Sequence, residues 1–437
     1  MPALPHHRPE MDAAPLPATL ARRGAPPLRA PVLQGTADVE IAVIGGGFTG
    51  LSTALHALQA GRSVALLEGR EIGWGGSGRA FGQVVPFTRH SEAALLRILG
   101  PTWGPRLMQG AAAAPNLVFD LIDRHGIDCD AVRTGLIFAA HGRRAIPRLE
   151  ARCRFWQARG ADVDMLRGNA LHEMVGSAFY EAALLDHRGG SVNPLALARG
   201  LAAAVREAGG AVFEGSRATR LLPLGGGGWQ VEAAEGAVRA GQVVLATDAY
   251  TDDLWPGLRR ALMPLRAYQL VSAPLSDPWR NRILPGGQAL TDTRRLYSGL
   301  RLRPDGRLQI SVGGPILDAR GNPSLAGAER RIRDLFPDMG LPQWEEAVAG
   351  WVGMSRDQLP HIYRLAPDLH AATGLSGRGI ALGVSLGRDV AMRLLGSPEE
   401  NWMLPDTDSA QLPPVPFLRL LMPGLMAANR LMDRFQI

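Results

Sequence analysis

Residues 38–70 constrain the fold more than any other stretch. A β-branched run at 39–44 has strand length and ends on Gly45-Gly46-Gly47-Phe48-Thr49-Gly50. Behind the last glycine, Leu51, Ala54, Leu55 and Leu58 recur at helical spacing and make one apolar face. Gly61 stops that helix, 63–67 reads as a second strand, and Glu68 stands at its tip. The unit is therefore strand, turn, helix, strand, with Gly45-x-Gly47-x-x-Gly50 at the turn. The three glycines act differently. Gly45 makes the tight turn, Gly47 admits a pyrophosphate close to the backbone, and Gly50 lets helix and strand pack closely. The unpaired N–H groups of the helix start hold phosphate charge. Glu68 follows Gly47 by 21 residues, where a carboxylate accepts hydrogen bonds from an adenosine ribose. In a chain with 53 glycines the motif alone says little. Its strand, helix, second strand and acidic tip together point to a nucleotide-binding unit.

A chain of 437 residues holds two or three domains. Apolar residues at 46% and charged residues at 20% describe an ordinary globular protein. All 47 basic residues are arginine, spread along the chain rather than gathered in a stripe, which argues against a nucleic-acid partner. Cys129 and Cys153 are too few for a disulfide scaffold and lack metal-ligand spacing, so no metal site is expected and a reduced cytoplasm is the default. No stretch is apolar long enough to span a bilayer, and the N-terminus lacks the apolar core of a signal peptide.

Residues 1–35, rich in Pro, Ala and Arg and without periodicity, read as a mobile lead that wraps the fold near its end. The glycine-dense run at 69–83 marks backbone lying tightly against something. Helical patterns follow across 91–125, and mixed short elements across 126–185. Asn193 as cap and Pro194 in the first turn open a helix at 195–208. Strands are expected at 211–214 and 242–245, with a hairpin loop at 225–228 between two short strands. The 261–350 stretch is strand-rich, clearest at 267–272 and 308–312, with one helix at 327–336. A last unit gives a strand at 370–372, a glycine turn at 373–379 and a helix at 380–395. The tail, 401–437, carries prolines and an apolar helix at 417–425.

The order of these motifs resembles the D-amino-acid-oxidase-like FAD-dependent oxidoreductases, and within them the gamma-glutamylputrescine oxidase and glycine oxidase-like branch. The resemblance rests on 45–50, Glu68, the 75–83 run, Asn193-Pro194, 246–250 and Gly377-Arg378-Gly379. It implies an α/β fold: a Rossmann-like FAD-binding domain and a second, mainly antiparallel-sheet substrate domain, interleaved in sequence. The first takes 36–92, 186–260 and 351–400, and the second 93–185 and 261–350, with 401–437 as a helical tail. In such a protein Gly45, Gly47, Phe48, Thr49, Gly50, Glu68, Gly69 and Arg70 hold the ADP half of FAD. Gly76, Ser77, Gly78, Arg79, Gly82 and Gln83 follow the pyrophosphate and ribityl chain towards the flavin. Ala218 meets the adenine through its backbone, and Ala246 and Thr247 close over the cofactor. Gly377, Arg378, Gly379 and Ile380 set a helix N-terminus beside the flavin N1–C2=O edge, favouring the reduced form.

The chain departs from that branch in several places. It has Arg-Ala-Phe-Gly-Gln at 79–83 where the branch shows Arg-Asn-Gly-Gly-Gln. No late cysteine is available to anchor the flavin, so non-covalent FAD is expected. Ser355 and Gly377 stand where glycine-oxidase members carry substrate arginines, with Arg356 and Arg378 adjacent, which favours a larger amine. Sarcosine-oxidase relatives use a lysine to promote reaction with oxygen, and this chain has none, so either an arginine or histidine supplies that charge or the natural acceptor is not O2.

The implied activity is oxidation of a primary or secondary amine, amino acid or polyamine-like, by hydride transfer to flavin N5, with hydrolysis of the imine. Such chemistry needs orientation, a dry pocket and a neutral amine rather than a triad. Tyr268, Arg301 and Arg356 are the catalytic candidates, with Gln269, Tyr297 and His361 as further pocket candidates. The partners are a small-molecule amine and O2 or another acceptor. A dehydrogenase using a quinone or carrier is the alternative, and a flavoprotein with a mainly binding role is a third reading.

Overall fold

The structure, a computed structural model, describes residues 15–294, 299–313, 325–408 and Met432. The apolar runs read from the sequence become the parallel centre of one sheet. Its strands lie in the order Asp406–Asp408, His361–Ala366, Leu369–Thr373, Gly236–Leu245, Gly35–Ile44, Val64–Leu67 and Ala211–Phe213. The last five run parallel, in a register that puts Ile44 beside Leu67 and Leu245, and Leu245 beside Ala371. The last four residues of Gly35–Ile44 are buried on both faces, as a continuous apolar strand in a covered parallel sheet must be. An antiparallel hairpin, Arg220–Pro223 and Trp229–Glu232, leaves this sheet along Gly236–Leu245.

Three helices, Phe48–Gln59, Pro194–Glu207 and Ala381–Leu394, cover one face and share a core with the strands. Asn193 opens the second of them as expected, its side chain accepting from the Ala196 N–H at 3.2 Å. Helices Phe48–Gln59 and Ala381–Leu394 press together at Gly387, where an added Cβ would strike the Thr49 carbonyl oxygen. Ser52 Oγ donates to the Val384 carbonyl at 2.7 Å across the same contact.

The second sheet has the order Trp344–Met354, Met263–Pro274, Arg307–Gly313, Gly299–Leu302, Ala289–Asp292, Leu136–Ala139, Ala182–Asp186 and Val163–Arg167. Six of its pairings are antiparallel; Ala289–Asp292 runs parallel to Leu136–Ala139, joining the two stretches of chain that build it. Two details differ from the expected segments. Strand Trp344–Met354 stays paired in this sheet to Met354, past a boundary at 351. Helix Glu92–Arg124, which turns at Gly100 (φ 75°), buries Leu107, Val118 and Leu121 in the core it shares with those three helices, a core that also takes in Val163 and Leu184 of the second sheet.

The lead segment wraps the fold near its end, as expected. Residues 15–35 are tied to the body: the Asn193 side chain donates to the Leu20 and Arg23 carbonyls, Arg303 to the Thr19 carbonyl, and Leu20 is buried. Residues 1–14 and the tail helix expected at 417–425 lie outside the described residues. No helix among the described residues is long and apolar enough to cross a membrane.

Candidate active site

The parallel strands end on one edge, and a cleft of about 520 Å³ opens there, within the usual range for a ligand site. Gly45 turns the chain with φ 116°, and a Cβ there would stand 2.7 Å from the Ala246 carbonyl oxygen. Gly50 faces back onto the Gly45 carbonyl and Val43, which is the close helix–strand packing expected of it. Gly47 is the helix cap residue, with the Ser77 hydroxyl 2.9 Å from where its Cβ would be. Ser77 Oγ accepts from the Phe48 N–H at 3.0 Å, so the glycine run at 75–78 is docked over the helix start. Glu68 accepts from the Gly46 N–H (2.8 Å) and the Arg70 N–H (2.9 Å). Burial pushes its carboxyl above the usual range against the pull of these donors. A carboxylate has about four lone-pair sites, so acceptor capacity remains for a sugar hydroxyl.

The late turn reaches the same cleft for a topological reason. Helices Phe48–Gln59 and Ala381–Leu394 each follow a parallel strand, so both begin at the strands' C-terminal edge, where open α/β sheets bind ligands. Gly377 and Gly379 line the cleft, and neither Gly47 nor Ile380 caps its helix with a side chain. Asp248 fixes this end: its Oδ1 accepts from the Gly374 N–H (2.8 Å) and the Thr373 hydroxyl (3.1 Å), and burial holds its carboxyl above the usual range.

The opposite wall comes from the second sheet. Tyr268 and Gln269 are buried there and line the cleft beside Trp351, and Arg266 lies 5.3 Å from the Tyr268 ring centre and 5.6 Å from a Trp351 ring. Arg356 lines the cleft as an exposed residue. Phe48, Thr49, Gly69, Gly76, Ala218, Ala246 and Thr247 also line it.

Other candidates are placed elsewhere. Arg301 is 3% exposed and stands outside the cleft lining, donating to the Val192 carbonyl and Gln309 Oε1, both at 2.8 Å. Its guanidinium fills the space against Gly82, and Gln83 donates to the Leu290 carbonyl at 2.9 Å. Gly78, Gly82, Gln83, Arg378 and Ile380 support the wall without lining the cleft. Arg79 does line it, but its guanidinium donates to the Trp74, Pro15 and Ala349 carbonyls at 2.9, 3.2 and 3.4 Å. His361 pairs with Asp357 at 3.0 Å and is not in the lining, and Tyr297 lies outside the described residues. Sequence reasoning gave no role to Asp248, Arg89 or Arg266. An acidic residue at the tip of a buried strand was a usable signal for the first; the arginines carried none in a chain so rich in them.

Two helix starts and a floor of glycines suit an elongated ligand with phosphates, and the acidic tip suits a ribose. Comparisons with known proteins agree. The family profile described as FAD dependent oxidoreductase (DAO) matches residues 40–393. Gamma-glutamylputrescine oxidoreductase of Escherichia coli (strain K12) is 31% identical over 366 residues, covering 82% of this chain and 84% of that protein. Glycine oxidase of Geobacillus kaustophilus (strain HTA426) is 27% identical over 369 residues, 80% of this chain and 92% of that one. The structure of L-proline dehydrogenase from P. horikoshii shares the fold with a TM-score of 0.70 at 18% identity, covering 89% of this chain and 99% of that one. The chain belongs to the DAO family of FAD-dependent oxidoreductases.

Proposed function

We propose that the protein oxidises a primary or secondary amine to an imine, which water then hydrolyses. The observation that carries this reading is the cleft itself. One wall is built from the glycine turn, Glu68 and two helix starts, and the other from Tyr268, Gln269 and Trp351 of the second sheet. FAD, when bound, supplies the acceptor for the hydride that leaves the substrate α-carbon. Residues 45–50 and Glu68 would hold its adenylate end, and the turn at 377–379 would meet its ring system. Tyr268 and Trp351 form an aromatic wall that excludes water and restricts the pose of a small amine, and orientation of this kind can supply much of a rate enhancement. Arg79, held by three carbonyls, fixes the 75–79 run against strand Trp344–Met354. Arg301 acts one layer behind, as a positioning residue for Gly82.

The test is an anaerobic screen of amines against the purified yellow protein. Bleaching of the flavin band by at least one amine is expected, and a full panel without effect would leave the reading unsupported in favour of a binding role. Reoxidation of the bleached protein by air and by a quinone then separates oxidase from dehydrogenase. The absence of lysine from the whole chain favours a carrier over O2.

A further inference from the structure

Strand Gly236–Leu245 lies between Gly35–Ile44 and Leu369–Thr373. The two outer strands run on into helices Phe48–Gln59 and Ala381–Leu394. Asp248, just past the end of the middle strand, therefore stands at the cleft between two helix starts, each carrying about half a positive charge. Its Oδ1 accepts from the Gly374 N–H (2.8 Å) and the Thr373 hydroxyl (3.1 Å), and the Ala249 and Leu375 N–H groups pull the same way. The second sheet closes over it at Gly353, where an added Cβ would stand 2.8 and 3.0 Å from the two carboxylate oxygens. All the bonding partners are donors, which an ionised carboxylate accepts and a protonated acid cannot fully use. No guanidinium pairs with it among the described residues.

Asp248 has φ 40°, a left-handed backbone that Asp and Asn tolerate better than most side chains. An amide would fill this position and spare the fold a charge that burial disfavours. A strained residue with an uncompensated charge is an outlier of the kind that marks function. Hydride transfer from the amine brings two electrons and one proton to the bound flavin. The ring thereby gains one negative charge, and the substrate carbon becomes an iminium. A carboxylate nearby opposes that gain, where the helix starts favour it. At an effective dielectric of about 20, a unit charge shifts such an equilibrium about tenfold even from roughly 10 Å.

We propose that the Asp248 carboxylate tunes the electron affinity of the bound flavin downward, offsetting the two helix starts and making the reduced protein a stronger electron donor to its acceptor. The inference rests on the amine-oxidising reading, with FAD in this cleft and its ring at the 377–379 turn, and assigns the residue that sets how readily the ring is reduced.

The experiment compares wild type with Asp248→Asn, which keeps the side-chain shape and the left-handed backbone and removes the charge. The FAD-loaded proteins are reduced slowly without air in mildly alkaline buffer, with a chemical reductant and a dye of known potential. The Asn variant is expected to take up electrons at a potential higher by about 30 mV or more, a tenfold change in the two-electron equilibrium. Without FAD, its denaturant midpoint is expected to be no lower than that of wild type. Thr373→Val keeps the charge and removes one of its donors, so it disturbs the turn and is expected not to raise the potential. Where Asp248→Asn holds too little FAD to be read, Asp248→Gly carries the same comparison, since glycine also accepts the backbone. An unshifted potential in the neutral variant overturns the proposal, and so does an equal rise in Thr373→Val, which would assign the effect to the shape of the turn. The reductant is not an amine, so the comparison stands whether or not an amine bleaches the flavin. A wild-type protein that takes up no FAD overturns the reading beneath, whereas a yellow protein with an unshifted variant overturns this inference alone.

Discussion

Two buried carboxylates show how differently burial can be resolved. Asp292 is taken out of water but faces Arg331 (3.0 Å), Arg294 (3.2 Å) and the Tyr180 hydroxyl (2.8 Å). Burial raises its carboxyl, yet the two guanidiniums outweigh that and hold it below the usual range. Asp248 has N–H and hydroxyl donors and no guanidinium among the described residues, and burial wins. The signs of the pH dependence are therefore opposite. Asp292 contributes stability that is complete above its unfolded pKa of about 3.9 and lost as pH falls through the lower folded value. Asp248 contributes stability that is complete below its unfolded pKa and lost as pH rises through the higher folded one. Asp292→Asn should cost about 3–5 kcal/mol at neutral pH because it leaves buried arginines uncompensated. The gap to wild type should close as the solution is acidified below pH ~4. Denaturant midpoints at both pH values check this, and a gap that ignores pH would refute the assignment. At the same scale the glycines of 45–50 were legible because their roles are local. Arg301 was not, since a long side chain chooses between a cleft and the Val192 carbonyl only after distant strands have met.

Elements were legible where periodicity speaks. The helix expected at 195–208 runs Pro194–Glu207, and that expected at 380–395 runs Ala381–Leu394. Their partners were not, because close helix contact depends on which small residues face each other. Gly387→Ala puts a methyl on the Thr49 carbonyl and 3.0 Å from the Thr53 amide nitrogen. This overpacking should cost about 1–3 kcal/mol, and it should weaken FAD binding as well, since both helix starts at the cleft shift. Thermal melts and FAD titration measure the two effects; a loss of stability with unchanged affinity would show that the helix contact does not position the site. The lead segment reads as wrapping the fold near its end, but the partners that hold it were not legible. Its hold is polar and long-range, with the Asn193 side chain donating to Leu20 and Arg23 while accepting from Ala196. Asn193→Asp keeps the helix cap and removes the donors, whereas Asn193→Ala removes both. The aspartate variant is expected to expose residues 15–24 to protease with a stability loss of about 1–3 kcal/mol, and the alanine variant to lose about 1 kcal/mol more. Equal protease resistance in all three proteins would mean that the segment is held by Leu20 burial and Arg303 instead.

At the scale of the whole molecule, the second sheet is assembled from two separated stretches that meet at one parallel pairing, Leu136–Ala139 with Ala289–Asp292. Such a pairing has no local signature, so the interleaved plan came from the resemblance rather than from periodicity. The cleft exists only where this sheet faces the strand ends of the first, so a ligand filling it contacts both. FAD binding should therefore stabilise both sheets together, by about 2.7 kcal/mol at a free concentration one hundred times its Kd. Stripping FAD should lower the melting temperature. It should also speed amide exchange in two places at once: at the 45–50 turn and at Tyr268, Gln269 and Trp351 across the cleft. Exchange that quickens at the turn alone would mean that the flavin end does not reach the second sheet, and the aromatic wall would then lose its part in the chemistry.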